Sequence, residues 1–401
     1  MAFDDYDKNL MYSVLINNTQ VDSRCLSELT DKGIISNYRD LFEYTYRGLK
    51  EEELTDRTFV RLYEAKSMAG KIKETYDRYE EILSRDGITL IPDDSVHYPK
   101  IWKDLSGMPK VIYVRGDMSS LQKIDDNGSI SVVGSRNPGR YSLYATGDFV
   151  SKIATKDVVT VSGLAIGIDR AAHEAAMKAS GTTVAVLPSG CDEVYPLQNR
   201  DLFERITGGG GAVLSEMPPL SGVKKQYFPS RNRLISALSD CCLIMEAGEF
   251  SGTLHTASFA AYQGRDVFVL PNNIYADNCT GGLRLINDGA SILLSVDDVI
   301  DSVTSRLLYR KANGIVLTDN EEKNKRIADI RSRINKDPSS VSSGEIELLI
   351  SDELEVRNLT SDELSKRLGI PFFLLSQVLS DMELEGRIGR EKGKYTLTIA
   401  L

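Results

Sequence analysis

Between Ile130 and about Val303 the chain repeats one pattern: a short β-branched run, a glycine-containing loop, then, in most cases, a stretch with helical spacing. The runs are ISVV, VVTV, TVAVL, AVLS, CCLIM, DVFVL and SILL. A helix between consecutive strands is what a crossover to a parallel neighbour requires. The pattern therefore predicts an α/β fold with a Rossmann-like, doubly wound, mainly parallel sheet. In such a sheet ligands bind beyond the carboxyl ends of the strands, so those loops are where chemistry is sought.

The flanks read differently. Residues 1–86 are rich in helix formers and free of proline, which predicts a helical, SAM-like module with a packing role. Pro92, Pro99 and Pro109 mark a connector, and the α/β domain is expected over residues 87–304. Residues 305–343 are polar and charged and read as a linker. Over residues 344–401 three helical stretches precede a hairpin, the plan of a winged helix. At 401 residues the chain has room for two or three domains.

Charge and composition narrow the function. The chain carries a formal net charge of −10, so any nucleic-acid site has to be a local basic pocket within an acidic envelope. No run approaches the ~20 apolar residues of a membrane span, and the acidic N-terminus does not read as a signal peptide. Five cysteines without CxxC spacing fit a reducing cytoplasm, with one of the adjacent Cys241 and Cys242 expected to pack inward.

Four strand-end loops carry glycine and serine where backbone N–H groups can face an anion. The first is Gly134-Ser135-Arg136, the second Ser162-Gly163-Leu164-Ala165, the third Pro188-Ser189-Gly190, and the fourth Ser251-Gly252-Thr253. The first is a near miss of a phosphate loop: Arg140 and Tyr141 stand where lysine and a hydroxyl residue belong, so nucleotide hydrolysis lacks its machinery. The spacing of a dinucleotide fingerprint is also absent.

The segment from Lys224 to Arg233, KKQYFPSRNR, sits in a window with no acidic residue between Glu216 and Asp240. Lys224, Lys225, Arg231 and Arg233 are interleaved with Tyr227 and Phe228. Cations that take phosphates and rings that stack on unpaired bases are the needs of a single-strand binder. The alternative is a solvated basic loop.

Tests for catalysis mostly fail. His173 follows Asp169 by four residues, but further metal ligands are missing, so no metal and no cofactor is expected. No serine elbow and no activated cysteine is evident. Glu246, ending an apolar strand, reads as a general base or as a buried carboxylate that holds neighbouring loops through N–H bonds, and the second reading is preferred. In the winged helix the segment from Pro371 to Gly386 has no Lys or Arg and is acidic at Asp381, Glu383 and Glu385. Duplex reading through that helix is therefore not expected. A protein contact or wing contacts through Arg387, Arg390, Lys392 and Lys394 remain.

At these residues the sequence resembles the DNA-processing protein A family, also called Smf. The resemblance runs in order from Gly87 to about Val299. It takes in Tyr98-Pro99, Val133 to Arg136, Ser162 to Asp169 with His173, and Tyr195-Pro196 with Asn199. It continues through Ser215-Glu216, Phe228 to Arg233, Glu246-Ala247, Ser251 to Thr253 with Thr256-Ala257, and Gln263 to Arg265. The resemblance implies a cytoplasmic homodimer that binds single-stranded DNA, protects it during natural transformation and hands it to the recombinase RecA. It places the DNA pocket at Arg136, Lys225, Phe228, Arg231 and Arg233. Two departures stand out: Asn272-Asn273 after Pro271, and the run Gly208-Gly209-Gly210-Gly211. Two rival readings use the same loops. One is a phosphoribohydrolase-like enzyme, although LHTASFAAYQG after Thr253 lacks the glutamate of that group. The other is a sensor that binds a nucleotide.

Overall fold

The computed structural model describes residues 8–32, 54–312 except 104 and 277, and, further on, 330, 333–334, 341, 343–356, 359–384, 388–391 and 393–397. Its internal contacts divide the chain into two units, residues 1–313 and 314–401.

The first unit opens with helices α1 (Lys8–Asn18), α2 (Ser23–Asp31), α3 (Asp56–Ser67) and α4 (Ala69–Asp86). Their buried faces form a cluster that includes Met11, Leu15, Leu26, Leu62, Ile72 and Tyr76. Thr55 caps α3 by accepting from Thr58 N, and Gly87 ends α4 in the left-handed region.

Strands β1 (Ile88–Pro92) and β2 (Val111–Gly116) follow, within the stretch whose prolines suggest a connector. They pair antiparallel with each other, and β2 pairs antiparallel with β6. Pro92 closes the outermost strand of the sheet, where a missing N–H breaks no central ladder. The α/β repeat then runs through α5 (Ser119–Asn127), β3 (Ser129–Gly134), α6 (Arg140–Ala154), β4 (Val159–Ser162), α7 (Ile168–Lys178) and β5 (Thr183–Val186). It continues with α8 (Arg200–Gly208), β6 (Ala212–Ser215), α9 (Tyr227–Ala237), β7 (Cys241–Glu246), α10 (Thr253–Tyr262) and β8 (Asp266–Val269). It closes with α11 (Thr280–Asn287), β9 (Ser291–Ile292) and α12 (Val296–Ala312).

The sheet order is β1-β2-β6-β5-β4-β3-β7-β8-β9, parallel from β6 to β9. The chain winds outward from β3 to β6, then crosses back to place β7 on the other side of β3. The crevice between the β3 and β7 loops is thus the topological switch point of the doubly wound sheet.

Helices cover both faces. Leu121, Leu234, Ile235 and Ala257 pack on one face, and Val150, Ile153, Ala172 and Val299 on the other. This double cover corrects the expectation for the adjacent cysteines. Cys241 faces one layer and Cys242 the other, and both are fully buried. A central strand has no solvent side.

The glycine run has a structural account. Gly208 ends α8, Gly210 takes a positive φ of 83°, and a Cβ at Gly211 would come within 2.5 Å of the Thr183 carbonyl. A four-residue turn this close to β5 tolerates no side chain at its last position. The asparagine departure also has one. Asn272 Oδ1 accepts from Asn273 N at 2.7 Å, Asn273 Oδ1 accepts from Tyr275 N at 2.9 Å, and Asn272 Nδ2 reaches Ser142 Oγ at 3.4 Å. Asn273 closes an Asx turn in the loop after β8, and Asn272 ties that loop to its neighbour's N–H and to Ser142.

Helix α12 extends through Ala312, past residue 305, and its Arg310 is anchored in the core. Arg310 pairs with the fully buried Asp240, whose other oxygen accepts from Ser129 N at 2.9 Å. The second unit contains α13 (Ser343–Val356), α14 (Ser361–Leu368) and α15 (Phe372–Leu384), then the antiparallel pair β10 (Ile388–Glu391) and β11 (Lys394–Leu397). Leu349, Leu364, Leu375, Met382 and Tyr395 share its core, and Thr360 with Glu363 forms a capping box on α14. The described part of this unit thus includes three helices followed by a hairpin. Among the described residues no helix is long and apolar enough to cross a membrane.

Removing the cation from a buried pair leaves an uncompensated charge. Arg310→Leu is expected to lower the unfolding free energy by about 3–5 kcal/mol in urea titrations. Adding Asp240→Asn, which keeps an acceptor for Ser129 N, should recover much of that loss.

Candidate nucleic-acid interface

The centre of the crevice is built around Arg231. Helix α9 starts at Tyr227, and Pro229 falls in its first turn, where a backbone N–H has no intrahelical acceptor to lose. Two residues further on, Arg231 points inward and is only 5% exposed. Its Nη1 donates to the carbonyl of Gly163 and, at 2.8 Å, to that of Val186. The helix is thereby fastened to the ends of β4 and β5. Burial pulls the guanidinium down to about 10, with the Asp169 carboxylate opposing that fall, so Arg231 stays charged at neutral pH.

Asp169 organises the β4 loop. Its Oδ2 accepts from Gly163 N at 3.1 Å and from Ala165 N at 3.3 Å, while Asn199 Nδ2 donates to Leu164 O at 2.8 Å. These bonds hold Leu164 at a φ of 56°, a left-handed conformation a leucine rarely adopts unaided. Burial raises the Asp169 pKa, and Arg231 and the two N–H groups act against that rise. At Gly163 a Cβ would come within 2.2 Å of Arg231 Nη1, so the loop can approach the guanidinium only as glycine.

Two cavities open on either side of Phe228. The first, about 780 Å³, is lined by the loops after β3 and β7, including Gly134, Ser135, Ser251, Gly252 and Thr253. The second, about 750 Å³, is walled by Ile166, Pro188, Val194, Tyr195, Pro196 and Leu197. Arg136, Phe228 and Arg231 border both. The Arg136 guanidinium lies 5.4 Å from the centre of the Phe228 ring, and Tyr195 meets that ring edge-on at 5.9 Å. Arg136 is exposed and has no carboxylate partner among the described residues. The partition therefore offers an aromatic face, a solvent-facing cation, and N–H-rich loops beside it.

The remaining residues named from the sequence fall into distinct positions. Lys224 and Lys225 are exposed just before α9, with the Lys224 ammonium 5.4 Å from the Tyr227 ring. Neither lines either of these two cavities. Arg233 turns away, pairing with Glu216 and donating to Gly107 O at 3.0 Å. Ser162 is fully buried and gives its hydroxyl proton to Val132 O at 2.6 Å, tying β4 to β3, while its neighbour Gly163 lines the second cavity. Glu246 Oε2 accepts from Gly139 N at 2.9 Å, which fixes the loop before α6. On the C-terminal hairpin, Arg390 lies 5.1 Å from the Tyr395 ring, and Arg387 and Lys392 lie outside the described residues.

Residues 89–304 match the model of a family described as DNA recombination-mediator protein A. The chain is 35% identical over 245 residues to the DNA processing protein DprA of Bacillus subtilis, covering 60% of this chain and 81% of that one. It is 32% identical over 306 residues to protein Smf of Escherichia coli, 76% of each chain. The crystal structure of DNA processing protein A from Streptococcus pneumoniae superposes with a TM-score of 0.59 at 26% identity, covering 74% of this chain and 98% of that one. The chain belongs to the DNA recombination-mediator protein A family.

In this family member, several residues that shape the crevice carry no mark of a site residue in the sequence reading above. Asn232 and Asn278 line the first cavity and Tyr195 the second. Asn232 adjoins Arg231 within the basic segment, and Tyr195 lies in the Tyr-Pro pair, so both are within reach of a closer reading. Asn278 gives no such signal, because its loop arrives from the far side of β8.

His173 reports on this packing. Thr183 Oγ1 donates its one proton to Thr160 O at 2.9 Å, so His173 Nδ1, 2.7 Å away, is the donor to Thr183. Burial, helped by Arg231, pushes the imidazole from its ordinary 6.5 down to about 3. The unfolded chain therefore takes up the proton first, and this group lowers stability as pH falls from about 6.5 toward 3. Asp169 shifts upward and works in the opposite sense, so the effect is isolated by comparison with His173→Gln. Between pH 7 and pH 5 the wild type should lose about 2 kcal/mol more than the variant in urea unfolding.

Proposed function

We propose that this protein binds single-stranded DNA in the switch-point crevice and delivers it to the recombinase RecA. The observation that carries this reading is Arg136, an exposed cation without an acidic partner among the described residues, set against the face of Phe228 between an N–H-lined cavity and an apolar one. A phosphate on Arg136 and the loop N–H groups, with an unpaired base against an aromatic ring, satisfies both halves of a nucleotide. A duplex keeps its bases stacked inside and offers only the first half. Membership of a recombination-mediator family supports the same reading. Lys224 and Lys225 stand at the approach to the crevice and provide further phosphate contacts.

The protein acts as a binding protein and not as an enzyme. Glu246, the strand-end carboxylate an enzyme reading would employ, is buried and holds Gly139 N through one of its oxygens, and α10 presents no acidic residue. It works in the cytoplasm as a homodimer, so that two crevices hold one strand, and the C-terminal unit, as a winged helix, serves protein contact.

Fluorescence anisotropy with a labelled oligonucleotide tests this directly. Wild type should bind the single strand in preference to duplex, with affinity falling steeply with salt. Arg136→Ala/Lys225→Ala should weaken binding and make the salt slope shallower by about 1.4, at about 0.7 for each phosphate left without its cation. Equal binding by the variant, or equally effective competition by mononucleotides, would replace this reading with a small-ligand one. For the delivery step, the protein should shorten the lag of RecA filament assembly on strands coated with a single-strand-binding protein, and the double variant should not.

A further inference from the structure

Three aromatic side chains stand in solvent on adjacent loops beside the first cavity. Phe250, in the loop after β7, is 96% exposed; Tyr275, in the loop after β8, is 86% exposed; and Tyr141, in the first turn of α6, is 52% exposed. The loops are fastened to one another. Gly139 N donates to Glu246, Asn272 reaches Ser142, and Gly282 N donates to Ala247 O at 3.0 Å. Phe250 and Asn278 both line the first cavity, so this rim is continuous with the crevice on the side away from the Tyr195 wall.

Solitary exposed apolar residues need no explanation, but a cluster of large ones on mutually anchored loops marks an interaction surface. Its electrostatics select the partner. Glu249, next to Phe250, is paired with Arg284 at 2.7 Å. Arg140, next to Tyr141, is exposed and has no acidic partner among the described residues. Among the described residues the surface therefore sets the unpaired Arg140 beside its rings, with the Glu249 carboxylate already neutralised, next to the first cavity.

We propose that Phe250, Tyr275 and Tyr141 form a stacking platform for the unpaired bases of the strand as it leaves the crevice toward β8. This rests on the single-stranded DNA reading above and extends it from one nucleotide-sized cavity to a track. Each base has a π face, so such a platform adds affinity without sequence preference. It also fixes the direction in which the strand leaves Arg136.

The chain contains one tryptophan, Trp102, which is 1% exposed, so a tryptophan placed at the rim is a distinct reporter. In the full-length protein, Phe250→Trp keeps an aromatic face at the rim, and its added fluorescence should be quenched by oligo(dT). An abasic oligonucleotide of equal length, which keeps the phosphates, should not quench it. Phe250→Ala/Tyr275→Ala should weaken binding of a long oligonucleotide tenfold or more, with the salt slope unchanged because every phosphate keeps its cation. If wild type binds, but the double variant binds equally and the new tryptophan is not quenched, the platform is wrong while the crevice reading stands. Intact DNA binding with a lower mass in light scattering would assign the rim to a contact between copies, which also overturns the proposal. If wild type binds no single strand, both readings fall together.

Discussion

The crevice depends on a single buried guanidinium. Arg231 joins helix α9 to the carbonyls that end β4 and β5, and its charge is balanced by Asp169, which in turn holds the β4 loop through two N–H groups. A cation in such a place would be costly if left alone, since desolvation disfavours its charged form. Here every neighbour is arranged around it: Gly163 has no side chain to obstruct it, and Asn199 secures the carbonyl of the strained Leu164. The outcome is a rigid floor on which Phe228 and Arg136 can be set without mobility of their own support.

That floor explains how an acidic protein can offer an anion site. A net charge of −10 sets a repulsive far field, but screening in physiological salt reduces it within about 8 Å. On the proposed reading, what a phosphate meets at contact is local: loop N–H groups, Arg136, and the approach lysines. Three acids around the crevice are already engaged, while Glu193, at the second cavity, is exposed. Asp169 faces Arg231, Glu216 faces Arg233, and Glu249 faces Arg284. The envelope and the pocket therefore do not contradict each other. Acidic charge at a distance favours solubility and discourages loose attachment, while neutralised acids nearby leave the positive groups unopposed.

The parallel part of the sheet can be read from the sequence because buried strands spell themselves out as β-branched runs between glycine loops. CCLIM and TVAVL are examples, and both form strands close to their expected limits. Strands β1 and β2 are hidden by the prolines in and between them; Pro92, the one inside a strand, is tolerated because it ends β1 at the antiparallel edge of the sheet. The site is legible as a set of loops and a basic segment, but not as a division of labour. Counting cations in KKQYFPSRNR gives four equals, whereas helix α9 separates them. Its periodicity turns Arg231 into the core, sends Arg233 toward Glu216, and leaves the lysines before its first turn. Phe250 is silent in the sequence for the opposite reason: a lone phenylalanine beside Ser-Gly-Thr acquires meaning only once the fold shows it exposed at the rim of the first cavity.

The same logic limits what a substitution in the basic segment can mean. A variant at Arg231 removes the tie between three elements, so its effect on DNA binding cannot be separated from collapse of the loop that carries Leu164. A variant at Arg233 frees Glu216, whose pKa burial already raises, and so adds an unpaired carboxylate near the approach. Arg136 differs from both: nothing in the fold hangs on its guanidinium, which stacks on Phe228 and otherwise faces solvent. Of the arginines that the motif brings together, it is therefore the one whose replacement subtracts a ligand interaction and little else.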